Sequence, residues 1–299
     1  MRFKRLDLNL LAALDVLLTE RNVSRAARKL FLSQSATSGA LARLREYFDD
    51  DLLVPSGRQL VLTPRARALQ PRVRAVLMQI DGTIIQPPEF DPATVRRTVR
   101  IQASDYVVLT QLAPAIQVIG QQAPGLTVVL ESPQQNARGA LDRAEVDLAV
   151  LPRRVLAPDH PHVPYFTDDH VVLACARNRD LGPSLTRADY VAARHVTMQF
   201  DAGLAPIETS LLQAMGIDRH LAAVSNSFAA VPFLVAGTRH LATLPRRLAQ
   251  LFATMAPLRI LPLPFDLPLL DESLQWHTHA ADDACLAWVR AQILACRAP

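Results

Sequence analysis

Three residue pairs have types and spacing that could hold a metal ion or transfer protons. They are His160 and His162, His277 and His279, and Asp168 and Asp169. A metal site needs a third or fourth ligand, and neither histidine pair has one nearby in the sequence. Adjacent carboxylates are equally typical of a solvated turn. We therefore expect neither a metal nor a catalytic carboxylate pair.

The cysteines and glycines indicate no catalytic or cofactor motif. Three cysteines stand far apart without Cys-x-x-Cys spacing, at Cys175, Cys285 and Cys296. We expect them to be small buried residues, with a redox-active thiol as the alternative. No Gly-x-Ser-x-Gly, Gly-x-Gly-x-x-Gly or Walker-type loop is present. The chain is predicted to be no enzyme and to need no cofactor.

Charge is unevenly distributed along the chain. Of 299 residues, half are apolar and a fifth are charged, which is typical of a globular protein with two or three modules. Residues 1–75 contain 14 Lys and Arg against 7 Asp and Glu, a net charge of +7, whereas the whole chain carries +4. A basic first quarter on a slightly acidic body suggests a nucleic-acid-binding module.

No segment is predicted to cross a membrane. The two longest uncharged stretches, 106–130 and 221–238, are interrupted by Gln, Asn, Ser, Pro and Gly. The basic N-terminus could open a signal peptide, but Asp7, Asn9 and Asp15 break the apolar run that follows. A cytoplasmic location is expected.

The first 50 residues show the pattern of a helix-turn-helix. Leucines recur at helical spacing up to Leu18, and Arg21-Asn22 breaks that helix. Ser24 and Ser33 are then predicted to cap two further helices, the second running from about residue 34 to 48. Two short helices joined by a short turn, the first containing small residues, are typical of DNA-binding proteins.

The second of these helices has two distinct faces. Its core side is predicted to consist of Thr37, Ala40, Leu41, Leu44 and Phe48. Its outward side is predicted to consist of Gln34, Ser35, Ser38, Ala42 and Arg45. Small polar residues let a helix approach a groove floor, and Gln34 near the N-terminus could reach base edges. We predict that Ser33 and this outward side contact DNA; an ordinary solvated face is the alternative.

A β-hairpin wing and a linker helix are predicted next. Short apolar runs, 52–54 and 59–62, flank a Pro-Ser-Gly turn, and Arg58 at the tip could contact phosphates. From Pro64 a helix with a kink at Pro71 is predicted to run to about Ile85. The predicted modules are a winged helix-turn-helix domain (1–63), a dimerising linker helix (64–90) and an effector domain (91–299).

Several of these residues resemble the DNA-binding signature of LysR-type transcriptional regulators. The residues that carry the likeness are 32–38, Leu41, Leu44, 51–53 and 62–64. The opening residues 1–15, and a tail with Trp276-His277, Asp283 and Trp288-Val289-Arg290, are similar to the branch holding nodulation and salicylate/naphthalene-pathway regulators. Two positions depart from the family pattern. Ser35 stands where proline is common, and Pro55 stands where many members have a basic residue.

Residues 95–299 alternate strand-like and helix-like runs, which predicts parallel α/β sheets. Predicted strands are 99–103, 126–131, 146–152 and 171–176. Predicted helices are 105–120, 136–143, 205–215, 228–237, 245–252 and 282–296. The family resemblance implies two α/β lobes like those of a periplasmic binding protein. We place lobe I at 91–164 plus 267–299 and lobe II at 165–266.

A small ligand is expected between the lobes, where strands end and helices begin. Ser104 and Asp105 form one such junction, and Ser225 and Asn226 form another. Simple helix capping is the alternative at both. The resemblance also places His170 and Thr197 in the cleft.

The expected function is a homodimeric or homotetrameric regulator that binds pseudo-palindromic double-stranded DNA. A small-molecule effector, with an aromatic acid suggested by the family branch, would control it through differential affinity for two states. Two other classes stay open from the sequence. They are a solute-binding protein and an α/β enzyme with a basic N-terminal appendage.

Overall fold

The computed structural model describes residues 7–57, 59–80, 90–133, 137–200 and 205–297. The chain divides into an N-terminal unit, Met1–Pro88 with Asp142–Glu145, and a larger C-terminal unit, Glu89–Leu141 with Val146–Pro299. Each unit has its own buried core.

Three short helices form the first part of the N-terminal unit. They are α1 (Leu8–Glu20), α2 (Val23–Lys29) and α3 (Gln34–Phe48). Asn22, not the predicted Ser24, caps α2, because its side chain accepts a hydrogen bond of 2.9 Å from the Arg25 backbone N–H. Ser24 lies inside the first turn. Ala26 is fully buried among the leucines of the core, where a small side chain lets α2 and α3 approach each other.

The predicted wing is confirmed as an antiparallel hairpin of β1 (Leu53–Ser56) and β2 (Gln59–Leu62). Gly57 has a φ of +61° in the turn, a conformation that favours glycine. The linker helix α4 (Pro64–Ile80) contains Pro71 as predicted. Its predicted extension to Ile85 lies outside the described residues.

The described residues of the C-terminal unit form ten strands in two five-stranded sheets. In chain order they are β3 (Arg97–Gln102), β4 (Leu126–Glu131), β5 (Leu148–Pro152), β6 (His162–Asp168), β7 (His170–Cys175), β8 (Arg194–Met198), β9 (His220–Ser225), β10 (Leu241–Pro245), β11 (Leu258–Pro262) and β12 (Leu270–Trp276). The sheet of lobe I has the order β4-β3-β5-β12-β6, and that of lobe II the order β11-β7-β10-β8-β9.

Helices connect and cover these strands. They are α5 (Asp105–Val107), α6 (Ala113–Gln122), α7 (Ala137–Asp142), α8 (Arg187–Ala192), α9 (Ile207–Ala214), α10 (Val231–Val235), α11 (Arg246–Ala253) and α12 (Ala284–Ala295). A π-helical segment, Val108–Leu112, joins α5 to α6. None of the helices in the described ranges is long and apolar enough to cross a membrane.

Both sheets contain parallel and antiparallel pairs, which corrects the prediction of parallel sheets. β12 runs antiparallel to β5 and β6, and β7 runs antiparallel to β10 and β11. The chain crosses between the lobes twice. The strand that follows each crossing, β7 in lobe II and β12 in lobe I, runs in the direction opposite to the other strands of its sheet. The first crossing is the single residue Asp169, so lobe I extends to Asp168, four residues beyond the predicted boundary.

Candidate nucleic-acid interface and ligand cleft

The N-terminus of α3 is fixed by its own first turn. The Ser33 hydroxyl accepts a hydrogen bond of 3.1 Å from the Ala36 backbone N–H, which is an N-cap. The buried Thr37 hydroxyl donates to the Ser33 carbonyl at 3.0 Å. With Leu41 and Leu44 also buried, the predicted core face is confirmed and the opposite face is held outward.

The predicted DNA-contacting residues at the start of α3 lie on one exposed surface. Gln34, Ser35 and Ser38 are all exposed. The Ser33 and Ser35 hydroxyl oxygens are 3.0 Å apart, so these two side chains are mutually oriented. The surface offers an amide and several hydroxyls, which are the groups that bond base edges and phosphates.

Arg45 has a different environment from the rest of the predicted set. Its Nε donates to the Asp51 carbonyl and its Nη2 to the Leu53 carbonyl, each at 2.8 Å. These bonds hold the start of the wing against α3. Arg45 therefore positions the wing, and its contact with DNA stays a prediction. Arg58 lies outside the described residues.

Phe31 and Leu32 complete the exposed surface, and sequence reasoning gave them no role. Phe31 is 95% exposed and Leu32 is 48% exposed, immediately before the Ser33 cap. Phe31 also has a φ of +55°, which is unusual for a bulky residue. In the sequence, Leu32 belongs to the stretch 32–38 that resembles the LysR-type signature, whereas Phe31 carries no such signal.

Charges elsewhere in this unit are partly neutralised. Glu20 pairs with Lys29 at 2.6 Å and with Arg25 at 3.1 Å, and these bonds hold the pKa of its carboxyl below the usual value. Arg74 of α4 pairs with Asp15 of α1. Burial nevertheless raises the pKa of Asp15. This ion pair fixes the linker helix to the helical core.

In the C-terminal unit, Ser104 caps a helix as the alternative prediction proposed. Its hydroxyl accepts a hydrogen bond of 3.3 Å from the Val107 backbone N–H, and its residue is only 8% exposed. The cap lies at the carboxyl end of β3, where α/β proteins bind ligands.

Asp105 joins the two lobes. Its Oδ2 accepts a hydrogen bond of 2.7 Å from the Ser227 hydroxyl and one of 2.9 Å from the Ala229 backbone N–H. Asp105 belongs to lobe I, whereas Ser227 and Ala229 belong to lobe II. The two predicted junctions are thus brought together, but the carboxylate is occupied by protein donors. We call this contact the interlobe latch.

The remaining predicted cleft residues lie on lobe II. The Ser225 hydroxyl bonds the backbone of Ser227 in a local turn, and Asn226 lies between them. Thr197 is buried in β8, and the next residue of that strand, Met198, pairs with Ser225 of β9. His170 is buried just after the first crossing, and burial lowers its pKa to about 4, so its ring is neutral at pH 7.

Aromatic side chains from both lobes meet beside the latch, and sequence reasoning missed them. The Tyr106 ring is 6.0 Å from Phe166 and 6.2 Å from Phe228, and Phe228 is 6.0 Å from Phe200. The Tyr106 hydroxyl donates to Asp168 at 2.7 Å. Burial and the Asp168 carboxylate together raise the pKa of Tyr106.

The histidine pairs have structural roles. The His277 Nδ1 accepts a hydrogen bond of 3.1 Å from the His279 backbone N–H, and the His160 ring contacts the His277 ring in a tilted arrangement, with centroids 4.5 Å apart. Within the described ranges, no group of three or more His, Cys, Asp or Glu side chains could hold a metal ion.

A winged helix-turn-helix joined to two α/β lobes with a cleft defines a ligand-responsive DNA-binding regulator. Residues 8–67 match the model for bacterial regulatory helix-turn-helix proteins of the lysR family, and residues 92–296 match the LysR substrate binding domain. The chain belongs to the LysR family of transcriptional regulators, and is a DNA-binding regulator rather than an enzyme.

Relatives and solved structures agree along the whole length. Nodulation protein D 1 of Mesorhizobium japonicum is 39% identical over 295 residues, covering 98% of this chain and 94% of the relative. Nodulation protein D of Azorhizobium caulinodans is 38% identical over 294 residues, covering 98% and 94%. The crystal structure of the probable transcriptional regulator PA0477 from Pseudomonas aeruginosa is 32% identical with a TM-score of 0.67, covering 98% of both chains. Full-length CbnR with its target DNA shares the fold alone, at 14% identity, a TM-score of 0.60, and coverage of 96% and 99%.

Proposed function

We propose that this regulator reads DNA through the exposed surface formed by Ser33, Gln34, Ser35 and Ser38. The observation that carries the proposal is the capped N-terminus of α3, which presents these side chains while Thr37 faces the core. Gln34 would bond base edges, and the serines would bond phosphates or bases. Arg58 would contact the phosphate backbone from the wing tip.

Phe31 fits the same interface. Its exposed ring precedes the Ser33 cap and so lies at the end of α3 that would enter the groove. An apolar side chain there can contact a thymine methyl group, which is part of major-groove recognition. We therefore add Phe31 to the proposed DNA-contacting surface.

The functional form is proposed to be a homodimer or homotetramer on a pseudo-palindromic site. Apolar side chains are exposed where a second copy could cover them: Val76 on α4, Leu130 on the edge strand β4, and Leu221 and Val224 on the edge strand β9. Edge strands with exposed apolar residues favour association. Equilibrium sedimentation of the full chain tests this proposal, and a monomer at micromolar concentration would contradict it.

A small molecule is proposed to control the regulator from the interlobe cleft. The hydroxyls of Ser104, Thr197 and Ser225, with Asn226 and the neutral His170, would bond its polar groups. An aromatic effector that enters between the lobes would pack beside Tyr106, Phe166 and Phe228, which are buried against one another next to the latch. A thermal-shift screen of aromatic acids with the full chain tests this proposal, since a ligand stabilises the state that binds it.

We propose a DNA-binding domain at 1–63, a linker helix at 64–90 and an effector domain from 91. We also propose a cytoplasmic location, because the proposed DNA target lies in that compartment.

The DNA-reading proposal is tested by selecting a duplex from a random pool and titrating binding with salt. Specific binding with a steep salt slope is expected. Equal affinity for selected and scrambled duplexes would contradict sequence-specific reading.

A further inference from the structure

One carboxylate of the N-terminal unit, that of Asp50, lies where α3, the wing and the linker helix meet. α3 ends at Phe48, β1 begins at Leu53, and β2 ends at Leu62, two residues before the linker helix begins at Pro64. Asp50 belongs to none of these elements, and its side chain is half-buried. Its position allows it to bond more than one of them.

The Asp50 Oδ1 accepts two hydrogen bonds from separate parts of the chain. The Leu52 backbone N–H donates to it at 2.7 Å, and the Thr63 hydroxyl donates to it at 2.6 Å. Leu52 immediately precedes β1, and Thr63 immediately follows β2. One oxygen atom therefore joins the two ends of the wing hairpin to the segment that follows α3.

Thr63 extends this contact to the linker helix. Its hydroxyl also accepts a hydrogen bond of 3.0 Å from the Ala66 backbone N–H, which is an N-cap of α4. Its backbone N–H donates to the Leu52 carbonyl at 3.1 Å. The start of the linker helix and the base of the wing thus depend on the same hydroxyl. We call Asp50, Leu52 and Thr63 the wing joint.

Leu52 adopts a backbone conformation that needs such support. Its φ is +60°, which is unfavourable for a bulky residue, and its side chain is fully buried in the core. Both of its backbone polar groups are bonded within the wing joint. Without the bond from Asp50, Leu52 and the base of β1 can relax towards a less strained conformation, and the wing would move with them.

The chemistry of Asp50 argues against direct contact with DNA. A carboxylate repels phosphate groups, and its Oδ1 already accepts two hydrogen bonds. Its effect on DNA binding would therefore be indirect. Arg45 holds the start of β1 to α3, and Asp50 adds the end of β2 and the linker helix to the same assembly.

We propose that Asp50 is a positioning residue for DNA binding. Through Leu52 and Thr63, its carboxylate holds the wing and the linker helix in one orientation relative to α3, so that α3 and the wing contact the same duplex together. This inference rests on the proposed function, in which α3 reads bases and the wing contacts phosphates. It assigns a role in binding to a residue that does not itself contact DNA.

Titration of the selected duplex with Asp50→Ala and Glu46→Ala tests the proposal by the sign of the effect. Glu46 is an exposed acidic residue of α3, so each variant loses one negative charge, and weaker repulsion of phosphates should raise the affinity of Glu46→Ala. Asp50→Ala should instead bind about tenfold more weakly than Glu46→Ala, the equivalent of one hydrogen bond to a charged group. Asp50→Asn keeps the Oδ1 acceptor and should bind within about threefold of Glu46→Gln.

A double-mutant cycle with Arg58 separates positioning from general stabilisation. Arg58→Ala should weaken duplex binding by the wild type and reduce its salt slope by about one unit. In the Asp50→Ala background, the same substitution should change the logarithm of the affinity by less than about half as much, because the wing is no longer held against the duplex. A residue that only stabilised the fold would leave the two effects additive.

A second pair of variants tests the same contact from its other partner. Thr63→Val keeps the shape of the side chain and removes the hydroxyl, so it should reproduce the loss seen in Asp50→Ala, whereas Thr63→Ser should bind as the wild type does. Thermal melts define the temperature at which the variants are folded, and every titration is made below it. If Asp50→Ala does not fold, Thr63→Val takes its place in the cycle.

Three results would overturn the proposal. Asp50→Ala binds as tightly as Glu46→Ala, the effects of Asp50→Ala and Arg58→Ala add, or Arg58→Ala leaves binding by the wild type unchanged. The cycle is measured on both the selected and the scrambled duplex, because phosphate contacts do not depend on sequence. Equal affinity of the wild type for the two duplexes would therefore refute base reading by α3 and still leave the role of Asp50 decided by the cycle.

Discussion

The interlobe latch makes a prediction about a single carboxylate. Replacing Asp105 by alanine removes two hydrogen bonds, at 2.7 Å from the Ser227 hydroxyl and at 2.9 Å from the Ala229 N–H. A hydrogen bond to a charged group contributes about 1.5–3 kcal/mol. Asp105 is half-buried, so water can replace part of the two lost hydrogen bonds in the variant. We therefore assign to both bonds together the free energy of one hydrogen bond to a charged group. The latched arrangement should therefore lose about 1.5–3 kcal/mol, or ten- to 150-fold in its population ratio.

Hydrogen exchange at the Ala229 amide measures this loss directly, because that N–H donates to Asp105. In Asp105→Ala, exchange in peptides that contain Ala229 should accelerate about tenfold or more. Ser227→Ala removes only one of the two bonds and should accelerate exchange less. Asp180→Ala is the matched control, because Asp180 pairs with the exposed Arg239 and has no hydrogen bond to the latch residues among the described contacts.

Two results together would contradict the interlobe latch: in Asp105→Ala the amide of Ala229 exchanges as slowly as in the wild type, and the melting temperature is unchanged. That pair of results would mean that lobe II holds the Ala229 segment without help from lobe I. Acceleration throughout the unit in the variant would instead indicate global destabilisation and would also contradict a local latch.

Three further predictions concern other residues. Gln34→Ala should weaken binding to the selected duplex by about 1–3 kcal/mol and spare scrambled DNA; equal loss on both duplexes in a fluorescence titration would exclude base reading. Ser33→Ala should lower the free energy of unfolding of the N-terminal unit by about 1 kcal/mol through the lost cap, and an unchanged urea midpoint would argue against that cap. Burial raises the pKa of Glu272 from 4.5 to about 8, so the folded chain keeps a proton that the unfolded chain releases, and stability should fall as pH rises from 4.5 to 8 by at most about 5 kcal/mol. Glu272→Gln should flatten this fall in thermal melts, and an identical pH profile would contradict the assignment.

The N-terminal unit could be predicted in detail because its signals are local. Caps, helical spacing and a turn with Gly57 act over a few residues, and the structure has the same elements. The error at α2 is also local: Asn22 and Ser24 are both good N-cap residues, and the structure uses Asn22. The hydrogen bonds of Arg45 to the wing could not be predicted, for another reason. Helical periodicity fixes the direction of its Cβ, but a long side chain can turn back and bond carbonyls six and eight residues away.

The C-terminal unit was harder to predict because polar residues are buried in its strands. β12 reads Leu-Asp-Glu-Ser-Leu-Gln-Trp, and Glu272, Ser273 and Gln275 in it are all buried. A hydrophobic pattern therefore cannot identify this strand as an interior strand of a sheet. The latch shows the same limit, since Asp105 and Ser227 are 122 residues apart and their pairing depends on both lobes being formed.

The interlobe latch acts on one property of the molecule, the arrangement of its two lobes. Asp105 connects lobe I to the Ser227–Ala229 segment of lobe II. A ligand shifts an equilibrium only by its difference in affinity between the two states. The proposed effector would contact Ser104 of lobe I and both Thr197 and Ser225 of lobe II, so effector and latch would stabilise the same state. Because coupling is reciprocal, a weakened latch would then also lower the apparent affinity for the effector.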